Sequence, residues 1–173
     1  MNGHELILAF QAGRTDFSGE KFEGIKLSGA HLNGIILDGA DLREADLSGA
    51  SLFGASLRGT MLNRAHLGIA HDYASNTNLD DIDIGLDCID LAKADLTGAF
   101  LNNAHMFRAN LREANLTHAD LRGALMRDAN LEGAILENAN LSNADLTGAH
   151  IDLEMLKLAV TTGAIMEDLH TRK

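Results

Sequence analysis

A period of five residues constrains this chain more than any other feature of its sequence. From Asn102 to Ala149 a small residue, usually Ala, recurs every five positions, and a large apolar residue stands two positions after it. Neither the 3.6-residue period of an α-helix nor the two-residue period of a flat strand fits this spacing. The pattern therefore predicts a stack of similar coils.

Each five-residue unit is predicted to form a short extended segment followed by a corner. The small and the large residue point inward together, whereas the Asp or Asn between them and the next two residues point outward. Glycine ends many units, as at Gly19 and Gly24, and suits a tight turn. If four corners close one coil, a coil takes twenty residues and successive coils lie about 4.8 Å apart. We expect each Asp or Asn to hydrogen-bond the local backbone rather than a ligand.

The repeats fall into two blocks, residues 15–69 and 84–151, and residues 70–83 fit the period poorly. Within a block, residues separated by multiples of twenty are expected to lie over one another. Burying one Leu stabilises a fold by about 1.5–3 kcal/mol, so such stacks can support a slender column. The expected core includes Leu27, Leu47, Met106, Ala109, Leu111, Met126, Ala129 and Leu131.

These units match the signature A-(D/N)-L-x-x and resemble the pentapeptide-repeat family over residues 15–151 outside the interruption. The resemblance implies an all-β solenoid, a right-handed quadrilateral β-helix of about six coils with four repeats in each. The two ends look like those of cyanobacterial members. Most members have no known biochemical activity. A minority resemble DNA mimics that bind type II topoisomerases, and another regulates cell differentiation by binding a transcription factor.

The whole chain, residues 1–173, is expected to form one domain with a short helix at each end. Residues 3–12 carry an apolar stripe at helical spacing and predict a helix that covers the open end of the stack. Residues 152–166 are predicted to form the C-terminal cap, with a helix over 153–160 and Asp152 as its N-cap. The tail beyond residue 166 is expected to fray.

Charge and cysteine content limit the partners that the protein can bind and the cell compartment that it suits. A net charge of −11 argues against direct binding of nucleic acid, which needs a basic surface. The single cysteine, Cys88, excludes an intrachain disulfide, fits a reducing compartment and is expected to be an inert thiol. The first residues carry no basic leader, and no apolar run is long enough to span a bilayer. We expect a cytoplasmic protein that does not bind membranes.

The sequence contains no motif specific enough to indicate catalysis or ligand binding. The sequence contains no nucleophile motif, phosphate loop or dinucleotide fingerprint. No two histidines of one block are twenty residues apart, and His66, His71 and Asp72 near the interruption make only a loose set of metal ligands. We therefore expect neither an enzyme nor a cofactor, and no metal centre.

Outward apolar residues are the better indication of a contact surface. Phe53, Phe100 and Phe107 lie at positions expected to face solvent. By the twenty-residue register, His105, Phe107 and Leu125 should share one face and form a small apolar patch. Exposed apolar patches can mark partner sites.

The interruption is the second candidate contact region. It holds the only tyrosine, Tyr73, and no Lys or Arg occurs from residue 68 to 92. A long loop in a compact repeat is often functional. Its candidate contact residues, besides Tyr73, are Asp72, Asp80, Asp81 and Asp83.

These observations favour a non-enzymatic scaffold whose flat faces and acidic loop bind a protein partner, as a monomer or a dimer. The alternative is a DNA mimic that binds a type II topoisomerase (DNA gyrase). The net charge favours mimicry, but a mimic needs a continuous negative stripe. The expected faces are mixed instead, for example where Arg112 and Glu113 lie beside Glu132. A third alternative is an enzyme whose site lies in the interruption.

Overall fold

The computed structural model describes residues 1–67 and 89–171 of the chain. Residues 68–88, and the last two residues, lie outside the described part. The described chain forms a column of coils joined by parallel pairing, mostly as isolated bridges. The named elements are α1 (Gly3–Gln11), β1 (Asn130–Leu131), β2 (His150–Ile151) and α2 (Leu153–Leu156).

Pairing within each part of the column follows a step of twenty residues. Lys26 pairs with Asp46, and Asn110 pairs with Asn130, in parallel register. The Leu111 N–H donates to the carbonyl of Asn130 at 2.8 Å, which places Leu111 over Leu131. Twenty residues are four repeats of five, the coil expected if four corners close one turn.

The interior is built from the two inward positions of each repeat. All eight residues that the sequence places in the core are at most 1% exposed. A polar exception is Thr60, which is fully buried and donates its hydroxyl to the carbonyl of Leu37 at 2.9 Å. Because the interior is narrow and filled by Leu and Ala, the column needs no aromatic centre.

The corners repeat one hydrogen-bonding scheme. At a typical corner the Ala94 N–H donates to the carbonyl of Leu91 at 3.0 Å. The second corner residue has a positive φ, as in Gly98 at 66° and Asn103 at 56°, so glycine and asparagine recur there. Asp95 Oδ1 accepts the N–H of the residue two positions on at 3.0 Å, which confirms the expected role of the Asp and Asn residues.

The column continues across the interruption with a longer step. Ser51 pairs with Asp90, and His66 pairs with His105, so the step there is 39 residues instead of 20. His66 is therefore the neighbour of His105 in the preceding coil. The second described part begins at Ile89, and the predicted start of the second block at residue 84 lies outside the described residues. The predicted interruption, residues 70–83, lies outside the described residues.

The first helix docks on the N-terminal coil. Asn2 Oδ1 accepts the Glu5 N–H, and the Glu5 carboxylate accepts the Asn2 N–H, both at 2.9 Å, so a capping box starts α1. The helix ends at Gln11, one residue before the predicted end, and Gly13 follows with a φ of 97°. Leu6 is fully buried against the core.

The C-terminal segment differs from the prediction. Asp152 does cap α2, accepting the Glu154 N–H at 2.8 Å, but the helix ends at Leu156 rather than at residue 160. Beyond it, Val160 pairs with Asn140 and His170 pairs with His150. The expected fraying tail is thus a further layer of the column, because the chain keeps the twenty-residue step after the helix.

Candidate interaction faces

One column of outward residues, which we call the histidine face, carries part of the expected patch. His105 and Leu125 are direct neighbours on it, and both side chains are half-buried. The full column is Lys26, Asp46, His66, His105, Leu125, Asp145 and Ile165.

Phe107 does not face solvent as the sequence predicted. It is the first corner residue after Met106, an outward position, yet it is only 4% exposed. The Arg108 guanidinium lies 5.3 Å from the centre of its ring. The predicted apolar patch is therefore reduced to His105 and Leu125.

Phe53 and Phe100 are exposed at 43% and 47% but lie apart from that patch. Phe53 is at a corner, where the Lys93 ammonium lies 5.7 Å from the centre of its ring. Phe100 belongs to another column, between Met61 and Asp120. The structure therefore does not bring these rings together with His105.

The acidic candidate residues cannot be placed on the column. Tyr73 and the four aspartates Asp72, Asp80, Asp81 and Asp83 lie outside the described residues, as does Cys88. The structure does show where their segment is attached. It leaves after Leu67 and returns at Ile89, so both ends meet at a corner of the histidine face.

Two histidines of the histidine face meet across the 39-residue step. The ring centres of His66 and His105 are 5.0 Å apart, with the rings nearly perpendicular. The Nδ1 atom of His66 is buried and has no hydrogen-bond partner among the described residues. Burial, and then the neighbouring His66, lower the pKa of His105, which favours its neutral form. The twenty-residue register does not predict this pair, because the 39-residue separation of His66 and His105 depends on the number of residues between the two parts of the column.

A second histidine pair lies at the C-terminal end. The ring centres of His150 and His170 are 4.5 Å apart, and both side chains are exposed. They line a cavity of about 440 Å³ together with Glu132, Asp152 and Leu169. The two residues are twenty apart, but the sequence does not predict this pair, because the tail beyond residue 166 is expected to fray.

Charges are paired between coils along the column. The Arg43 guanidinium contacts Glu23 in the preceding coil at 3.3 Å. It also donates hydrogen bonds to both carboxylate oxygens of Asp41, at 2.8 and 2.7 Å. Its hydrogen bonds hold the pKa of Asp41 below its usual range despite the burial of that carboxyl. Further pairs between adjacent coils are Arg64 with Glu44, Lys93 with Glu113, and Arg112 with Glu132. The faces are therefore mixed in sign.

The described residues contain neither a cluster of metal ligands nor a membrane-spanning helix. No set of three or more His, Cys, Asp or Glu side chains among them is arranged to hold a metal ion. No described helix combines the length and apolar character that crossing a membrane requires.

Comparison with known families decides the relationship. The model of the pentapeptide repeats matches residues 21–59, 86–128 and 124–152, in eight copies that together cover more than half of the chain. The chain belongs to the pentapeptide-repeat family. Solved structures to which this pentapeptide-repeat protein is similar are right-handed β-helices. No curated protein sequence matches it significantly.

Three solved structures illustrate the range of similarity. HetL from Nostoc sp. strain PCC 7120, a pentapeptide repeat protein involved in heterocyst differentiation regulation, is 26% identical, with 98% of this chain and 94% of HetL covered and a TM-score of 0.51. Another Nostoc PCC 7120 pentapeptide repeat protein, alr5209, is 30% identical over 99% of this chain and 96% of its own, with a TM-score of 0.32. QnrB1, a plasmid-mediated fluoroquinolone resistance protein, is 17% identical over 89% of this chain and 71% of its own, with a TM-score of 0.38.

Proposed function

We propose that this pentapeptide-repeat protein is a non-enzymatic scaffold that binds a protein partner. In this proposal the column is a quadrilateral β-helix of about six full coils with an added C-terminal layer, and so roughly 30 Å tall at strand spacing. Flat, regular faces suit protein partners better than small molecules, which prefer concave pockets.

One observation carries the proposal: the column keeps its pairing on both sides of residues 68–88. Ser51 pairs with Asp90 just as Lys26 pairs with Asp46, so the added residues displace no layer of the core. Residues that the pairing of the described column does not need are free to serve contact with another molecule.

The histidine face and the adjoining segment form one candidate surface. His105 and Leu125 lie on this face, and the ends of the segment meet at its corner, at Leu67 and Ile89. The segment carries Tyr73 and an excess of aspartate, so a partner with a basic contact surface would complement it. The similarity to HetL favours a regulatory role for such contacts over a structural one.

The test is a cross-linking pull-down that compares three versions of the chain and one control variant. One is intact, one carries a Ser-Gly corner in place of residues 68–88, and one carries Leu125→Lys on the histidine face. A partner captured by the intact chain and lost from either variant supports the proposal and locates the contact. Phe100→Lys, on another face, is the matched control. Equal capture by all four versions would remove both candidate surfaces.

Mimicry of DNA toward DNA gyrase is the weaker alternative. The inter-coil pairs, such as Arg64 with Glu44 at 3.4 Å, interrupt any continuous negative stripe. A supercoiling assay tests this directly. Inhibition by near-stoichiometric protein would favour mimicry over the scaffold, whereas unchanged supercoiling at a large molar excess would exclude it.

The setting of this proposal is the cytoplasm of a cyanobacterium. Support for the source comes from the two similar Nostoc proteins, and the single cysteine supports a reducing compartment. Separation of a cell lysate into cytoplasmic, membrane and lumenal fractions, followed by immunoblotting, tests the location. The oligomeric state, monomer or dimer, is measured by light scattering.

A further inference from the structure

The spacing of His66 and His105 fits a shared metal ion. With metal–nitrogen bonds of about 2.0–2.1 Å, two imidazoles on one ion have ring centres about 4.5–5.2 Å apart, depending on the angle at the metal. The observed separation is 5.0 Å. The two residues are also paired in register on adjacent coils, so their backbones hold the side chains side by side.

An unpartnered nitrogen points to a missing ligand at the same place. His66 Nδ1 is buried and has no hydrogen-bond partner among the described residues. Buried polar atoms are rarely left unsatisfied, and an ion or a water is the usual explanation when one is. A metal ion shared with the neutral imidazole of His105 would satisfy this nitrogen.

We propose that His66 and His105 together bind one divalent transition-metal ion of the nickel, copper and zinc group. Imidazole nitrogen suits these ions, whereas calcium and magnesium take oxygen ligands. Two protein ligands leave the other coordination positions to water. This agrees with the absence of any three-residue ligand set among the described residues.

Neighbouring groups leave the two imidazoles as the ligands. Asp46, the next residue on one side, accepts the Ser48 N–H at 3.2 Å and lies 3.9 Å from the Lys26 ammonium. Leu125, the next residue on the other side, offers no ligand atom. The site is therefore a pair rather than a cage.

The position of the ion suggests what it does. His66 directly precedes Leu67, the last described residue before the segment leaves the column, and His105 belongs to the following coil. One ion would link the two coils between which the segment departs. Because the unfolded chain does not hold these rings together, binding would stabilise this junction by mass action.

The pair His150 and His170 is the matched comparison. Its ring centres are 4.5 Å apart, also within the range for a shared ion, but both side chains are exposed, and neither has a buried unpartnered nitrogen in the described structure. Binding there should be the weaker of the two.

The test is a calorimetric titration of the EDTA-treated and dialysed full chain with zinc chloride. His150→Gln removes the comparison pair, and this variant should keep one saturable binding event. Adding His66→Gln or His105→Gln should each abolish that event. Absence of binding to the intact chain, or a loss that follows His150→Gln alone, would overturn the proposal.

Electron paramagnetic resonance with one equivalent of copper(II) identifies the ligands directly, whether or not a substitution changes the stability of the fold. The His150→Gln variant should show coupling to two imidazole nitrogens, and His150→Gln with His105→Gln should show one. An identical spectrum for both would overturn the assignment even if the titration heats differed. Circular dichroism confirms that each variant is folded.

Discussion

The backbone N–H of Ile89 donates to the carbonyl oxygen of Leu67 at 3.3 Å. An ordinary corner makes the same bond between residues three apart, as Ala94 does to Leu91 at 3.0 Å. The column thus closes this corner in its usual way although 21 residues lie between the two ends. The described ends, Leu67 and Ile89, therefore meet as the two sides of an ordinary corner do, and several consequences can be measured.

Replacing residues 68–88 by Ser-Gly should leave the column intact. Ser48 and Gly49 form the corresponding corner one coil earlier, so this replacement restores the twenty-residue step. We expect the circular dichroism spectrum to be unchanged and the melting temperature to shift by only a few degrees, since no described core residue is lost.

The control for this replacement is a single Gly in place of residues 68–88. It shortens the corner by one residue and would turn inward residues outward if the pairing shifted to match. We expect a large loss of cooperative unfolding. Equal stability of the two versions would show that the corner length does not set the register.

Leu111→Ala should destabilise the column by about 2–5 kcal/mol, the usual effect of emptying a buried leucine site. Leu111 is completely buried in the middle of the stack. Ile135→Ala is the control, because Ile135 is 44% exposed, and it should change the free energy of unfolding by less than about 1 kcal/mol. Urea unfolding curves provide both values, and equal effects would contradict the assignment of inward positions.

Gly3→Ala should loosen α1 although alanine favours helices by about 1 kcal/mol over glycine. A Cβ atom at Gly3 would lie 1.9 Å from the carbonyl oxygen of Lys26, so the helix would have to move off the first coil. We expect a loss of about 1–3 kcal/mol, the range for overpacked contacts. Hydrogen exchange of residues 3–11 measures the undocking. His4→Ala, at an exposed position, should leave exchange unchanged.

Asp41 should contribute stability that disappears in acid. The Arg43 guanidinium and backbone N–H hold the pKa of Asp41 below its usual value, so the folded chain releases this proton more readily than the unfolded chain. The contribution is therefore complete above the unfolded pKa of about 3.9 and is lost as the pH falls through the lower folded pKa.

Urea unfolding at pH 7 and pH 2.5 tests this contribution. Asp41→Asn should lower the midpoint at pH 7 and should differ less from the unchanged chain at pH 2.5, which lies below the unfolded pKa of about 3.9. Glu137→Gln, at an exposed carboxyl, is the control. A difference between Asp41→Asn and the unchanged chain that stays constant with pH would contradict the lowered pKa.

The sequence by itself determined the local rules of this protein. A small residue, a polar residue, a large residue and two corner residues specify one unit, and the same choice is repeated along the chain. Each unit, such as Ala109 to Glu113, therefore carries its own inward positions, its Asx hydrogen bond and its corner. This is why the core positions could be predicted, whereas the closing of a coil by four units was an expectation from the family resemblance.

Only the tertiary structure decided which residues contact each other on either side of residues 68–88 and at the C-terminal end of the column. The return of the chain at Ile89, not the repeat, sets His66 against His105. Phe107 is buried at a position that the pattern marks as outward. At the other end, the pairing of His170 with His150 comes from a coil that forms by stacking on the one before it. The five-residue pattern does not encode the 39-residue separation of His66 and His105. His150 and His170 keep the twenty-residue step, but the layer that contains His170 forms only by pairing with the coil before it.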